Sequence, residues 1–158
     1  MKFVADSMLG KLAKWLRMLG YDTYYQPGNY GPEDIDLLVK QGRILLSRRR
    51  ITAKKYTDAL LVCSHHVGEQ LVEVKEGLLL SPDSRDWFTR CMLCNSRLKS
   101  VQEDDARENV PEYVFYHNMK EIRVCPSCGR YYWPGSHRTR MVRQLEKWGL
   151  SWKQGYQW

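Results

Sequence analysis

The sequence has no apolar run that approaches the ~18 residues of a membrane-spanning helix. Its first residues, MKFVAD, also lack the layout of a secretory signal, because the apolar stretch is short and an acid interrupts it. We therefore expect an intracellular protein with no membrane partner. Whether such a protein would be cytoplasmic or nuclear is left open by the sequence.

Acidic residues are missing from one central segment. Between Asp36 and Asp58 there is no Asp or Glu but there are seven basic residues: Lys40, Arg43, Arg48, Arg49, Arg50, Lys54 and Lys55. The whole chain carries 25 Lys and Arg against 18 Asp and Glu, a net charge of +7. This balance, and its clustering, favours partners that carry phosphate groups.

A chain of 158 residues can bury one core plus a small satellite held by a metal. Short apolar strands alternate with helical patterns through residue 80: strand 2–5, helix from residue 8 with Asp6 or Ser7 as its cap, strand 22–25, a helix opening at Pro32, strands 43–47 and 59–63, and helix 67–77. This alternation predicts an α/β domain with a parallel, doubly covered sheet. We place this domain at residues 1–86, a second region with a basic C-terminal helix at 87–150, and a tail at 151–158.

Four of the five cysteines form two C-x-x-C pairs, Cys91/Cys94 and Cys125/Cys128. Four thiolates suit a tetrahedral structural zinc ion, and they leave no open coordination position for catalysis. Each pair is followed by a residue that accepts a positive φ cheaply, Asn95 and Gly129. The 30 residues between the pairs require an inserted loop, which the acidic stretch 102–112 supplies. A redox dithiol is the alternative to zinc, and we interpret Cys63 as a small core residue.

Several carboxylates stand where the predicted sheet would bind a ligand. Asp6 ends the first strand, and ligands of open α/β sheets lie outside the carboxyl ends of the strands. The predicted helix that opens at Pro32 carries three more acids near its start: Glu33, Asp34 and Asp36. If they converge with Asp6, they can hold Mg²⁺ or Mn²⁺ for phosphoryl chemistry. The alternatives are a helix cap at Asp6, dipole complementarity at Glu33 and Asp34, and a solvated helix face at Asp36.

Three segments, FVADSMLGKLAKWLRMLGYDT, QGRILLSRRR and FTRCMLCNSRL with CPSCGRYYWPGSH, resemble the PIN-like ribonuclease domain family of the mutator-seven exonuclease C-terminal part. The resemblance implies a PIN-like three-layer α/β/α fold, a mainly parallel sheet and a C-terminal zinc ribbon. It also implies metal-dependent RNA cleavage in the family, with Asp6 as its first acid and Glu33 or Asp34 as its second. In the family a strand is followed by Thr-Arg-Asp, whereas this chain has Ser47-Arg48-Arg49, so an arginine replaces an acid that binds metal.

An arginine cannot ligate Mg²⁺ and its charge repels the ion. We therefore predict a binding module for single-stranded RNA that is degenerate as a nuclease and acts in RNA processing or in small-RNA pathways. Its predicted phosphate contacts are Lys11, Lys14, Arg17, Arg48, Arg49, Arg50, Lys54, Lys55, Arg138, Arg140 and Arg143. Tyrosines 24, 25, 30, 131 and 132 and Trp133 can stack bases, although packing is the expected role of most of them.

Two alternatives to RNA binding without cleavage stay open. One is an active Mg²⁺- or Mn²⁺-dependent ribonuclease that retains part of the acid set. The other is a protein-docking module, beside a linked exonuclease domain or another partner, for which the aromatic tail with Trp152 and Trp158 would be suited.

Overall fold

A computed structural model of the chain describes residues 1–28 and 31–150. Tyr30 and the predicted tail 151–158 lie outside the described residues. The chain forms two compact units, of which the first is Met1–Asn95 and the second begins at Ser96. The domain boundary at residues 86 and 87 stays a prediction from composition.

The first unit is built on a four-stranded parallel sheet with the strand order β2-β1-β3-β4. Its elements in chain order are β1 Lys2–Ala5, α1 Gly10–Met18, β2 Asp22–Tyr24, α2 Pro32–Lys40, β3 Ile44–Ser47, α3 Arg50–Lys55, β4 Ala59–Leu61 and α4 Val67–Gly77, followed by a 3-10 helix, Ser84–Asp86. The predicted α/β class with a parallel sheet is confirmed.

Apolar residues on both faces of the short strands explain why helices cover the sheet on two sides. Val4 and Leu45 are fully buried and pack with Ile35 of α2. Their neighbours Phe3 and Leu46 are also fully buried, and strand alternation turns them to the opposite face. Helix α1 contacts β1 and β2 and packs beside α4.

Three local expectations about this unit are wrong. Helix α1 begins at Gly10, and its N-cap residue Leu9 makes no side-chain cap, so neither Asp6 nor Ser7 caps it. The segment Arg50–Lys55, for which we predicted no helix between strands 43–47 and 59–63, is the helix α3, and none of its residues is buried. Strand β4 ends at Leu61, and Cys63 beyond it is exposed rather than part of the core.

The second unit contains a small antiparallel sheet of three strands, with the order β5-β6-β7. Its elements are β5 Lys99–Ser100, α5 Glu103–Asn109, α6 Glu112–Asn118, a 3-10 helix Met119–Glu121, β6 Arg123–Val124, β7 Tyr131–Tyr132 and α7 Ser136–Lys147. The acidic stretch 102–112 was expected to be a loop and instead forms α5 and the start of α6. The second unit has its own small core, which includes Ala106, Val114 and Ile122. Tyr131 and Trp133 pack against this core.

No helix in the described ranges is long and apolar enough to cross a lipid bilayer.

Candidate nucleic-acid interface and metal centre

The order of the strands places a candidate ligand site beside the carboxyl ends of β1 and β3. From β1 the chain crosses to β2 on one side and then returns to β3 on the other side. In open parallel sheets a crevice forms at this reversal of strand order. Asp6 directly follows β1, Ser47 is the last residue of β3, and Arg48 comes next. The structure thus brings the first predicted acid and the start of the basic segment together.

The Asp6 carboxylate is buried and accepts three hydrogen bonds. The backbone N–H of Met8 donates to Oδ1 over 2.9 Å. Oδ2 accepts from the Ser47 hydroxyl at 2.6 Å and from the Arg48 backbone N–H at 2.9 Å. An ionised carboxylate offers about four acceptor sites, so most of its capacity is used by its own loops. Asp6 therefore holds the turns after β1 and β3 in place.

The acids of α2 are engaged in local contacts. Asp34 closes the start of the helix, since its Oδ2 accepts from the Gly31 backbone N–H at 3.1 Å. Asp36 accepts a 2.6 Å hydrogen bond from the Tyr56 hydroxyl and lies 3.7 Å from the Lys55 ammonium group. The Tyr56 hydrogen bond, with the nearby lysine charges, lowers the pKa of Asp36. Burial, followed by the contact with Asp36, raises the pKa of Tyr56 to about 12.

Within residues 1–28 and 31–150, the one group of three or more potential metal-ligating side chains is the set of four cysteines. The structure therefore does not gather Asp6 with the acids of α2, including the exposed Glu33, into a cluster of three carboxylates. Their role as catalytic residues stays a prediction.

The four predicted cysteine ligands do come together. The Sγ atoms of Cys91, Cys94, Cys125 and Cys128 all lie within 4.8 Å of one another. Tetrahedral zinc with Zn–S bonds of ~2.3 Å requires sulfur atoms about 3.8 Å apart, so the donor set fits a metal such as zinc. Asn95 and Gly129 have φ values of +70° and +69°, as the sequence predicted for the residues that close the two knuckles.

The first knuckle is fastened to the parallel sheet unit by Arg17 of α1. This side chain is only 3% exposed. Its Nη1 donates to the carbonyls of Met92 at 3.1 Å and Leu93 at 2.6 Å, while Nε and Nη2 donate to the Thr23 and Tyr25 carbonyls at 2.8 and 3.3 Å. The predicted RNA contact at Arg17 thus has a structural role instead, because its guanidinium already binds four carbonyls of the protein.

Asn95 and Asp22 form a second connection between the first knuckle and β2. The Asn95 side chain accepts from the Thr23 backbone N–H at 3.0 Å and donates to Asp22 at 2.8 Å. Arg43 also donates to Asp22, over 2.6 Å. Partial burial is the largest single influence on the pKa of Asp22 and acts to raise it. The hydrogen bonds from Arg43 and Asn95, with the charges of Arg43 and Arg90, together outweigh burial, so the net effect is a lowered pKa.

The basic segment after β3 forms an exposed cationic surface. Arg49, Arg50, Lys54 and Lys55 are all exposed on or beside α3. The side chain of Ile51 among them is 88% exposed. A helix with no buried residue contributes little to the core, so this surface is available to a ligand.

A cavity of about 800 Å³ lies within the first unit. Lys11, Lys14 and Arg48 line it together with His65 and His66. No Asp or Glu occurs among the described residues of its lining. The cavity thus presents positive and hydrogen-bonding groups, which suit an anion rather than a metal cation.

The loop with His65 and His66 was assigned no function from the sequence. Glu73 holds this loop by accepting from the Cys63 and Ser64 backbone N–H groups at 2.8 and 3.0 Å. Nη2 of Arg48 lies 3.0 Å from Nδ1 of His65. The signal that points to this loop is its position directly after β4, at the same edge of the sheet as Asp6 and Arg48.

The remaining predicted cations lie on α7 of the second unit. Arg140 and Arg143 are exposed, whereas Arg138 is partly buried. Burial, with a smaller contribution from the Arg123 charge, lowers the pKa of Arg138 to about 10. Of the three predicted contacts on this helix, Arg140 and Arg143 are therefore the accessible ones.

Comparison with known proteins gives one match that decides the family. Residues 1–145 match the model of the family described as the Mut7-C RNAse domain. The chain belongs to the Mut7-C RNAse domain family. The match includes the sheet, all four clustered cysteines and most of α7, so the resemblance noted from the sequence is confirmed. Neither the curated proteins nor the solved structures gave a match.

Membership in the Mut7-C RNAse domain family makes the chain a ribonuclease-related, RNA-associated domain. The family description fits the cationic surface around α3 and the cavity beside Arg48, because RNA carries a negative charge on every phosphate.

Proposed function

We propose that this Mut7-C RNAse domain binds single-stranded RNA without cleaving it. The observation that carries the proposal is the pairing of two features at one edge of the sheet. The Asp6 carboxylate is occupied by three donors of its own protein, and the cavity at this edge is lined by cations and histidines with no acid among its described residues.

The lack of a third acid supports the loss of cleavage. Residue 49 is an exposed arginine at the start of α3, where the family resemblance leads us to expect a carboxylate. A guanidinium is always charged and donates hydrogen bonds, so it binds phosphate and repels a divalent cation. Divalent-metal catalysis at this edge would have to rely on Asp6 and the acids of α2, two of which make the local contacts described above.

Phosphate contacts predict the character of the binding. Affinity for single-stranded RNA falls with salt with a slope of about −0.7 per phosphate neutralised, so three to five contacts give a slope of about −2 to −3.5. Tyr25 lines the cavity and supplies an aromatic face for a base. Tyr24, Tyr131 and Trp133 pack against apolar cores instead.

We propose that the four cysteines hold a structural zinc ion. The donor set supports zinc because four soft thiolates match its tetrahedral preference, and because a closed Cys₄ site leaves no position for water. Zinc would then contribute to folding and not to chemistry. A Mg²⁺ or Mn²⁺ cofactor is expected only if the domain retains nuclease activity.

The test is a titration of single-stranded RNA with and without Mn²⁺, read for both binding and cleavage. Arg49→Glu/Arg50→Glu is expected to weaken binding about tenfold or more, since it reverses two phosphate contacts. The matched control Arg97→Glu/Lys99→Glu changes net charge equally through two exposed residues of the second unit and is expected to have a much smaller effect.

Two other results would support a different function for the domain. Mn²⁺-dependent cleavage that disappears in Asp6→Asn while the variant remains folded would make it an active ribonuclease. RNA binding no tighter than that of a neutral protein would refute the proposal. Protein docking, to a linked exonuclease domain or another partner, would then remain as the hypothesis for the exposed Leu37 and Ile51.

A further inference from the structure

The cavity beside Arg48 has a chemical character that RNA binding in general does not require. An extended RNA backbone needs a track of cations that it can lie along. Here the lining comes from six separate parts of the first unit: the turn after β1, helix α1, the segment after β2, Arg48 after β3, the loop and first turn of α4, and the first cysteine knuckle. Walls from so many segments favour a group that enters the cavity over a chain that runs across it.

The positive charge of the cavity lining suits a group that carries two negative charges. Lys11 and Lys14 stand one turn apart on α1, and Arg48 adds a third positive charge. The two lysines are exposed side chains. Arg17 also lines the cavity, but its guanidinium donates to carbonyls of the protein. A phosphodiester carries one negative charge, whereas a terminal phosphomonoester carries about −1.5 to −2 at pH 7 and three acceptor oxygens. Three cations around one cavity therefore distinguish the end of a strand from its interior.

The size and shape of the cavity fit more than a bare phosphate. About 800 Å³ lies in the range of pockets that enclose small organic ligands. Tyr25 lies against Gly10 at the start of α1, where a Cβ would come within 2.6 Å of the Tyr25 hydroxyl oxygen. Glycine at this position thus permits the close approach of the aromatic ring that lines the cavity. The ring offers a stacking surface for the terminal nucleotide.

We propose that this cavity recognises the terminal phosphate of a single-stranded RNA, with Lys11, Lys14 and Arg48 contacting the phosphomonoester and Tyr25 contacting the terminal nucleotide. The proposal rests on the proposed function, because it names which feature of the RNA this site selects. The α3 surface then supplies affinity for the rest of the strand, and the cavity supplies preference for its end.

The experiment compares three short oligouridylates that differ only at their ends: one with a 5′-phosphate, one with a 3′-phosphate and one with no terminal phosphate. Binding to the full chain is measured at fixed salt and without divalent cations. We expect one of the two phosphorylated strands to bind about tenfold more tightly than the unphosphorylated strand. Which of them does so assigns the end that the cavity holds.

Two variants with equal charge changes separate the cavity from the α3 surface. Lys11→Gln/Lys14→Gln is expected to abolish the preference for the phosphorylated strand and to leave most of the affinity for the unphosphorylated one. Arg50→Gln/Lys54→Gln on α3 is expected to weaken all three strands by a similar factor and to preserve the preference. All four positions are exposed, so the variants are expected to fold, which circular dichroism and thermal unfolding check.

Equal affinity for the three strands would overturn the terminal-phosphate proposal and leave the proposed function standing. Loss of affinity for all strands in the Lys11→Gln/Lys14→Gln variant, with no change in their ratio, would also overturn it, because the cavity would then contact internal phosphates. No measurable binding of any strand would overturn both proposals.

Discussion

Replacing Asp6 by Asn is expected to destabilise the protein whether or not a metal ion is present. The carboxylate accepts from Met8, Ser47 and Arg48, and it joins the turn after β1 to the turn after β3. An amide has one oxygen and one NH₂ group, so it can satisfy only part of this arrangement.

The structure gives the size of the effect. If the amide oxygen takes the Oδ2 position, it keeps the Ser47 and Arg48 contacts, but the NH₂ group then faces the Met8 N–H. If the amide is turned around, the Ser47 hydroxyl can rotate to accept, but the Arg48 N–H loses its acceptor. Either way one backbone donor loses its partner, at about 1–3 kcal/mol, and the remaining bonds lose their charge assistance. We expect a total of about 2–4 kcal/mol, which for a chain of this length lowers Tm by roughly 5–15 °C.

The assay is thermal or urea unfolding of wild type, Asp6→Asn and Ser47→Ala, with and without Mn²⁺. Ser47→Ala is the matched control, because it keeps the carboxylate but removes the hydroxyl that donates to it at 2.6 Å and accepts from the Arg49 N–H at 3.0 Å. Ser47→Ala is expected to lower the free energy of unfolding by about 1–2 kcal/mol.

A result in the opposite direction would refute this reasoning. Carboxylates assembled for an absent cation repel one another, and neutralising one of them can stabilise the protein. If Asp6→Asn is as stable as wild type or more stable, and Mn²⁺ stabilises only the wild type, then Asp6 serves a metal ion rather than the two turns.

Three further predictions concern the connections within the first unit and the cysteine cluster. Arg17→Met is expected to lower the free energy of unfolding by about 2–4 kcal/mol, because four carbonyls lose a charged donor, whereas Lys14→Met on the same helix should change it little in urea titrations. Asp22→Asn is expected to lower stability by about 1–2 kcal/mol at pH 7. That difference should shrink on acidification. Because the pKa of Asp22 is lowered in the folded protein, its stabilising effect is present above the ordinary aspartate pKa of 3.8 and is lost as pH falls through the folded-state value. Native mass spectrometry should find one zinc ion per chain in wild type and Cys63→Ser, and a reduced zinc content in Cys128→Ser; equal zinc loss in both variants would contradict the proposed ligand set.

Sequence patterns predicted the elements whose signals are local. Helix α4 spans Val67–Gly77 as its periodicity indicated, and α2 opens at Pro32. The positive φ values of Asn95 and Gly129 followed from the few residues that tolerate this conformation. The cysteine cluster was predictable for the same reason, since the spacing within each pair fixes the local geometry of its ligands.

Features that depend on distant partners escaped prediction. Arg17 shares a helical face with Lys11 and Lys14, and all three were predicted from the sequence to contact phosphates of RNA. Its acceptors in Met92 and Leu93, about 75 residues away, leave no trace in the local sequence. Helix α3 escaped for a different reason, because a helix of six residues with no buried side chain has no hydrophobic periodicity to detect.

Arg17 also connects the first cysteine knuckle to the cavity beside Arg48. The same guanidinium holds the Tyr25 carbonyl at the cavity and the carbonyls of the first cysteine knuckle, and Leu93 of that knuckle lines the cavity. If the four cysteines hold zinc as proposed, loss of the ion would free the knuckle, and with it one side of the cavity. We therefore expect the demetallated chain to discriminate less between RNA ends, although none of the cysteines lines the cavity.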